Sequence, residues 1–326
     1  MTAQDAGIHY TAFTHTPESG LAIEARGVSK TYDAAGRALH ALKSIDIEVP
    51  VGCIFGLLGP NGAGKSTFIN IMAGTVVKTS GSISIWGTNI DDNPRQSRAN
   101  IGIVPQELNI DAFFTPRETL DMMAGLFGVP KSERHTDEIL EMVGLTEQAN
   151  FYSRRLSGGM RRRLLVGKAM VHRPPILVLD EPTASVDVAL RQRLWDSIKI
   201  LNQAGVTVLL TTHYLEEAET LCDRIAIINK GQVIAAKTKD DLLASAGQKT
   251  LHLSLTSPPP QVLPATLKAL GAHLHPQREE QLSISFDPAT INAIDILQAV
   301  QATGCVVSDI STAEPNLEDV FLSLTK

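Results

Sequence analysis

The residues best placed to do chemistry lie between Gly59 and Thr67, which read GPNGAGKST. Gly59, Gly64, Lys65 and Ser66 satisfy the phosphate-loop spacing G-x-x-x-x-G-K-[ST], with Pro60, Asn61, Gly62 and Ala63 inside the turn and Thr67 after it. Glycine leaves room for backbone N–H groups to close around phosphate oxygens. The N-terminus of a helix following this turn would add about half a positive charge directed at the anion. In such a loop Lys65 would reach the β- and γ-phosphates and Ser66 would supply a hydroxyl ligand for Mg²⁺. The pattern implies a site for a nucleoside triphosphate.

Four further stretches carry suitable groups. Ile176-Leu177-Val178-Leu179 is an unbroken apolar run that ends in Asp180 and Glu181. Such a run reads as a buried parallel strand, and ligands gather beyond the C-terminal ends of such strands. Asp180 would hold Mg²⁺ through water, and Glu181 would orient and polarise an attacking water, a role worth ~10²–10⁴ in rate. Gln106 follows another short apolar run and can coordinate Mg²⁺ or hold a water. His213 ends the run from Thr207 and could sense a γ-phosphate by hydrogen bond. Ser157, Gly158 and Gly159 stand before a basic, apolar helix, and there the serine is either a simple N-cap or part of a second anion cradle.

The elements that position these groups follow from pattern. Cys53 to Leu58 reads as a strand and Ser66 to Ala73 as a helix, which is the context a phosphate loop needs. Leu21 to Val49 alternates as two strands. Tyr32 on the first is either a sheet residue or a ring for a nucleobase to stack on. From Glu107 to Asn150 the pattern is mostly helical. Thr115, Pro116 and Glu118 predict a capping box there, and Phe113 and Phe114 are either core or part of an exposed groove. Arg161, Arg162 and Arg163 read as a solvated face, with one arm available to a phosphate or an acidic partner.

Bulk properties bound the choices. The chain has 326 residues, 43% hydrophobic and 20% charged, which suits about two globular domains. A net charge of −6 and pI ≈ 5.9 argue against a nucleic-acid footprint. Three scattered cysteines, Cys53, Cys222 and Cys305, predict buried thiols rather than a disulfide frame or zinc site. No apolar run approaches the ~18–20 residues of a membrane span, and the polar start reads as a tail rather than a signal peptide. A soluble cytoplasmic protein is the expectation.

Taken in order, GPNGAGKST, Gln106, LSGGM, ILVLDEP, SVD and TTH resemble the ATP-binding subunits of ABC transporters. The resemblance implies a P-loop NTPase core of α/β class, with an antiparallel β subdomain and a helical signature subdomain. It implies ATP and Mg²⁺ as ligands, held by Ser66, Gln106 and Asp180 at the metal and by Tyr32 at the adenine. Ser157, Gly158 and Gly159 would act across a homodimer interface on the nucleotide of the other copy, and Asp187 would link the two sites. A separate membrane-spanning permease would dock near Gln106 and Phe113, placing the protein on the cytoplasmic face of the membrane. Met160 stands where many members carry glutamine, and Ser185-Val186-Asp187 replaces the commoner Ala-Leu-Asp or Gly-Leu-Asp.

The expected organisation is a tail over 1–20, an ATP-binding domain over 21–246 and a C-terminal accessory domain over 247–326. The accessory part alternates at Leu251, Leu253 and Leu255 and again at Leu282, Ile284 and Phe286, then reads helical over 288–302 with a further strand at 306–310, giving a small α+β unit. His273 and His275 share a strand face without a third ligand. The closing segment Glu314 to Phe321, an amphipathic helix after a proline, resembles that of the ABC-2 exporter branch, which includes drug and polysaccharide exporters. An import subunit, or an ABC ATPase acting on ribosomes or DNA, would share the ATPase motifs.

Overall fold

The computed structural model describes residues 15–34, 37–107, 109–184, 188–245, 249–256, 264, 267, 270, 272–275, 278–286, 290–313 and 316–325. The chain divides into two compact units, Met1–Lys239 and Asp240–Lys326, and the boundary expected at 246/247 falls outside the described residues. No helix among the described residues is long and apolar enough to cross a membrane.

The first unit opens with β1 (Leu21–Ala34) and β2 (Arg37–Pro50), paired antiparallel. Their alternation buries Ile23, Ala25, Ile47 and Val49 on one face. Next come β3 (Ile54–Leu58), the helix α1 (Lys65–Met72), and β4 (Ser80–Ile85) and β5 (Thr88–Asn89), which complete a four-stranded sheet ordered β2-β1-β4-β5. The short α2 (Pro94–Ala99) leads into β6 (Ile101–Val104).

A helical region follows, with α3 (Pro116–Leu126), α4 (Thr136–Met142) and α5 (Gly158–Met170). Thr115 caps α3 through the expected reciprocal bonds with Glu118, at 3.2 and 2.8 Å. Gly167 lets α5 approach its neighbours, since a Cβ there would lie 3.1 Å from Ile139 and 3.4 Å from Leu120. Phe113 is 73% exposed and Phe114 37%, so neither is core.

The rest of the unit supplies β7 (Ile176–Asp180), α6 (Val188–Gln203), β8 (Thr207–Thr212), α7 (Leu215–Leu221), β9 (Arg224–Asn229) and β10 (Gln232–Thr238). The six-stranded sheet runs β10-β9-β3-β8-β7-β6, with only β10 antiparallel. Unbroken burial of β3 and β8, and of β7 up to Asp180, explains why these strands read as continuous apolar runs. Register matters more than order for the site. Leu58 stands opposite Thr212, and Thr211 opposite Asp180, so the loops leaving β3, β7 and β8 emerge side by side.

The second unit contains most of α8 (Lys239–Ser245), then β11 (Lys249–Leu255), β12 (Ala272–His275), β13 (Arg278–Phe286), α9 (Ala293–Ala302), β14 (Val307–Ala313) and α10 (Leu317–Thr325). Its antiparallel sheet is ordered β12-β13-β11-β14. Leu251, Leu253, Leu282, Ile284 and Phe286 meet Ile296 and Val300 in its own core.

Candidate functional site

The loop from β3 to α1 is shaped by its glycines. A Cβ on Gly59 would stand 2.2 Å from the Ile228 carbonyl oxygen, and one on Gly64 would stand 2.7 Å from that of Ala41. Gly64 also has φ 112°, a backbone that favours glycine, and serves as N-cap without a side chain over the N–H groups. Gly62 and Asn61 face open solvent, as does Ser66, while Ala63 is buried and Thr67 half-buried. Lys65 is 5% exposed and its ammonium donates to Gly59 O at 2.7 Å and Pro60 O at 3.2 Å. Burial lowers the Lys65 pKa, against the pull of Glu181 and Asp180.

Across from the loop, Asp180 ends β7 and Glu181 turns away from the strand with φ 47°. Thr211 holds this corner. Its hydroxyl donates to Asp180 Oδ1 at 2.5 Å, and the Glu181 N–H donates to the Thr211 hydroxyl at 3.0 Å and carbonyl at 3.2 Å. The Glu181 carboxylate, in a residue 8% exposed, then meets three groups. Gln106 Nε2 donates to it at 3.1 Å, His213 Nδ1 lies 3.2 Å away and Lys65 Nζ 3.7 Å away. So Glu181, His213, Gln106 and Lys65, drawn from four segments, form one cluster.

Lys65, Gln106 and Glu181 of this cluster line a cleft of ≈ 700 Å³, a size that suits a nucleotide, while His213 is not part of its lining. Asn61 to Thr67 line it, and Tyr32 stands on it as well, half-buried, with Lys30 Nζ 4.8 Å from its ring centroid. Sequence reasoning missed His40, Lys43 and Lys230, which also line the cleft. A hairpin brings Lys230 there: Lys43 N–H donates to Gly231 O at 2.8 Å and Gly231 N–H to Ala63 O at 3.0 Å. Thr211 was missed too, although a hydroxyl inside a fully buried strand is the signal that would have raised it.

The donor set fits a hard divalent cation accompanied by phosphate. Ser66, Asp180 and the carbonyl of Gln106 offer oxygen only, as Mg²⁺ requires. No cluster of three or more His, Cys, Asp or Glu that could hold a metal occurs among the described residues, so such a cation here would need substrate oxygens as well.

Other expected residues lie elsewhere. Ser157 caps α5, accepting from Met160 N–H at 3.2 Å, and nothing comes within 4 Å of a Cβ built on Gly158. Gly159 is buried in the first turn, and none of the three lines the cleft. Asp187 lies outside the described residues. The three arginines are not a solvated face. Arg162, 6% exposed, donates to the carbonyls of Pro105 and Gln106 at 3.1 and 2.8 Å. Arg163 donates to those of Val143 and Gly144, and Arg161 to that of Leu156. Free carbonyls at chain turns outcompete water for these forks. Arg162 thereby anchors the turn that presents Gln106.

A family model described as ABC transporter matches residues 42–184. The chain is similar to the linearmycin resistance ATP-binding protein LnrL of Bacillus subtilis, 36% identical over 93% of this chain and 98% of the relative. It is also similar to the Nod factor export ATP-binding protein I of Burkholderia orbicola, 35% identical over 93% and 96%. Among solved structures, the dimeric ABC transporter cassette MJ0796 matches with a TM-score of 0.60 and 28% identity, over 66% of this chain and 98% of that one.

Proposed function

This chain belongs to the ATP-binding proteins of ABC transporters, and we propose that it works as one half of an ATP-sandwiching pair. It binds and hydrolyses ATP and energises an exporter. The observation that carries the pairing is the separation of two helix starts. The α1 start shares its cleft with Lys65, Gln106 and Glu181, whereas the α5 start, with Ser157 and Gly158, lies outside that cleft's lining and has open space at Gly158. A cassette that matches this fold is itself dimeric.

In this reading the loop N–H groups and Lys65 take the phosphates, and Tyr32 stacks on the adenine. Glu181 orients the attacking water and accepts its proton as the bond from the β,γ-bridging oxygen to the γ-phosphorus breaks, releasing ADP and phosphate. Gln106 and His213 hold the Glu181 carboxylate from two sides, and His213 hydrogen-bonds the γ-phosphate. Ser66, Asp180 and Gln106 would hold Mg²⁺, which neutralises charge on the phosphate oxygens. Ser157, Gly158 and Gly159 of a second copy close over the γ-phosphate, so ATP joins the pair and hydrolysis releases it; Asp187 connects the two sites.

We assign the membrane crossing to a separate permease subunit that docks near Gln106 and the exposed Phe113, with this chain on the cytoplasmic face. The names of the relatives, resistance and export, favour export over import. The test is dilution. ATPase rate per molecule should fall as the protein is diluted, and Mg²⁺-ATP should raise the sedimenting mass of a Glu181→Gln variant to that of a dimer. A flat rate with no paired species would defeat the proposal.

A further inference from the structure

The turns that carry Glu181 and His213 are both built over one buried carboxyl group, that of Glu217 on α7. Glu217 is 1% exposed, and Trp195 of α6 donates its indole N–H to Glu217 Oε1 at 3.1 Å. The Thr212 and Thr183 hydroxyls lie near the carboxyl and the Arg191 charge within reach, while the Thr212 hydroxyl itself accepts the Tyr214 N–H at 2.9 Å and so closes the His213 turn. Thr212 immediately precedes His213, and Thr183 follows Glu181 by two residues. Burial pushes the acid's pKa up, against those hydroxyls, the indole and Arg191.

Taking a carboxyl group out of water is costly, and an apolar side chain would fill the same space without that penalty. What the acid adds is direction: three segments meet at one point. The indole N–H of Trp195 makes the hydrogen bond to the carboxyl; Thr212 is bonded to Tyr214, and neither Thr183 Oγ1 nor Glu217 Oε2 completes a hydrogen bond among the described residues. A second thread runs outside. The Arg191 guanidinium of α6 lies 5.3 Å from the Tyr214 ring centroid, and that ring lies 4.0 Å from the ring of His213.

We infer that Glu217 is a positioning residue for ATP hydrolysis, buried beside Thr183 and Thr212 beneath the Glu181 and His213 turns and anchoring them to α6 through its hydrogen bond from Trp195. It touches no substrate. It acts by keeping the two catalytic side chains at the separation the attacking water requires, and so ties their placement to the helix that begins just after Asp187. The inference rests on the ATPase reading above.

Steady-state kinetics on the full chain test it, at a temperature where circular dichroism shows each variant folded. Glu217→Ala should lower kcat about tenfold or more with KM for ATP within about twofold. Glu217→Gln keeps the acceptor for Trp195 and can donate to a threonine oxygen, so it should recover kcat to within about threefold of wild type. A purely structural role would lower Tm and spare the kcat of folded protein; wild-type kcat in Glu217→Ala overturns the inference. Should Glu217→Ala fail to fold, Trp195→Phe keeps the ring and removes only the bond. A fall in kcat of about threefold at constant KM supports the inference, and an unchanged kcat overturns it. A wild type without ATPase activity would instead sink the reading beneath, an outcome distinct from active wild type with equally active Glu217→Ala.

Discussion

Two helices in this protein open on glycines, and they differ in what surrounds them. At α1 the N-cap is Gly64, with φ 112° and no side chain over the free N–H groups, and Lys65, Glu181 and Gln106 close in around it. At α5 the N-cap is Ser157, whose hydroxyl already occupies one N–H, and Gly158 meets nothing. Both starts carry the same backbone donors and dipole. The first is a finished site with a lysine and a carboxylate in place. The second, on the pairing proposed above, is a half-site that a second copy's nucleotide would complete. A helix start becomes a phosphate site through its neighbours, not through its glycines.

The largest effect should come from the finished site. Glu181→Gln should lower turnover ~10²–10⁴-fold while retaining ATP binding and accumulating a dimer on gel filtration. Lys65→Ala should abolish hydrolysis. Normal turnover in either would break the distinction between the two helix starts.

The glycines should then separate by kind of damage. Gly64→Ala forces a left-handed residue and a contact 2.7 Å from Ala41 O, and should cost roughly 1–3 kcal/mol in denaturant unfolding. Gly158→Ala should leave unfolding within ~1 kcal/mol of wild type, because its Cβ enters open space. It should still lower ATPase activity roughly tenfold, since that Cβ would meet the nucleotide of a second copy. Equal activity would remove the second copy from the site.

The far end of α5 should respond to acid. His172 stacks on Phe127 with centroids 3.8 Å apart, its Nε2 lies 3.2 Å from Ile101 O, and burial pushes its pKa down from 6.5 to about 4. As pH falls, the unfolded chain takes up this proton first. The contribution is complete above about pH 6.5 and is lost between there and pH 4, with about 2 kcal/mol gone by pH 5. Tm of a His172→Phe variant should accordingly fall less than that of wild type between pH 7 and 5. The smallest effect belongs to Ser157→Ala. It should remove ~0.5–2 kcal/mol of capping and slow ATPase activity only about twofold to threefold, because the α5 backbone donors remain.

Much of this was legible in the chain. GPNGAGKST announces its own turn because Gly59 and Gly64 answer a local need for space, and ILVL and TVLLTT announce buried strands because every residue of those runs is buried. The capping box at Thr115 is equally local. Arg162 was not legible. Its partners, the carbonyls of Pro105 and Gln106, lie 57 and 56 residues away, and a run of three arginines gives no hint of which one turns inward. Phe113 was readable both as core and as surface, since aromatic type does not fix the face of a loop.

Composition and spacing along the chain determined the phosphate loop, the acidic strand end and the order of the remaining motifs, because those depend on backbone shape and on neighbours a few residues apart. Only the packed sheet decided that Glu181 meets Gln106, His213 and Lys65 at once, that Thr211 holds the corner and that Glu217 lies beneath it. Those meetings arise where β3, β8 and β7 lie side by side in register, and strand register across a parallel sheet is set by the whole core rather than by any one segment.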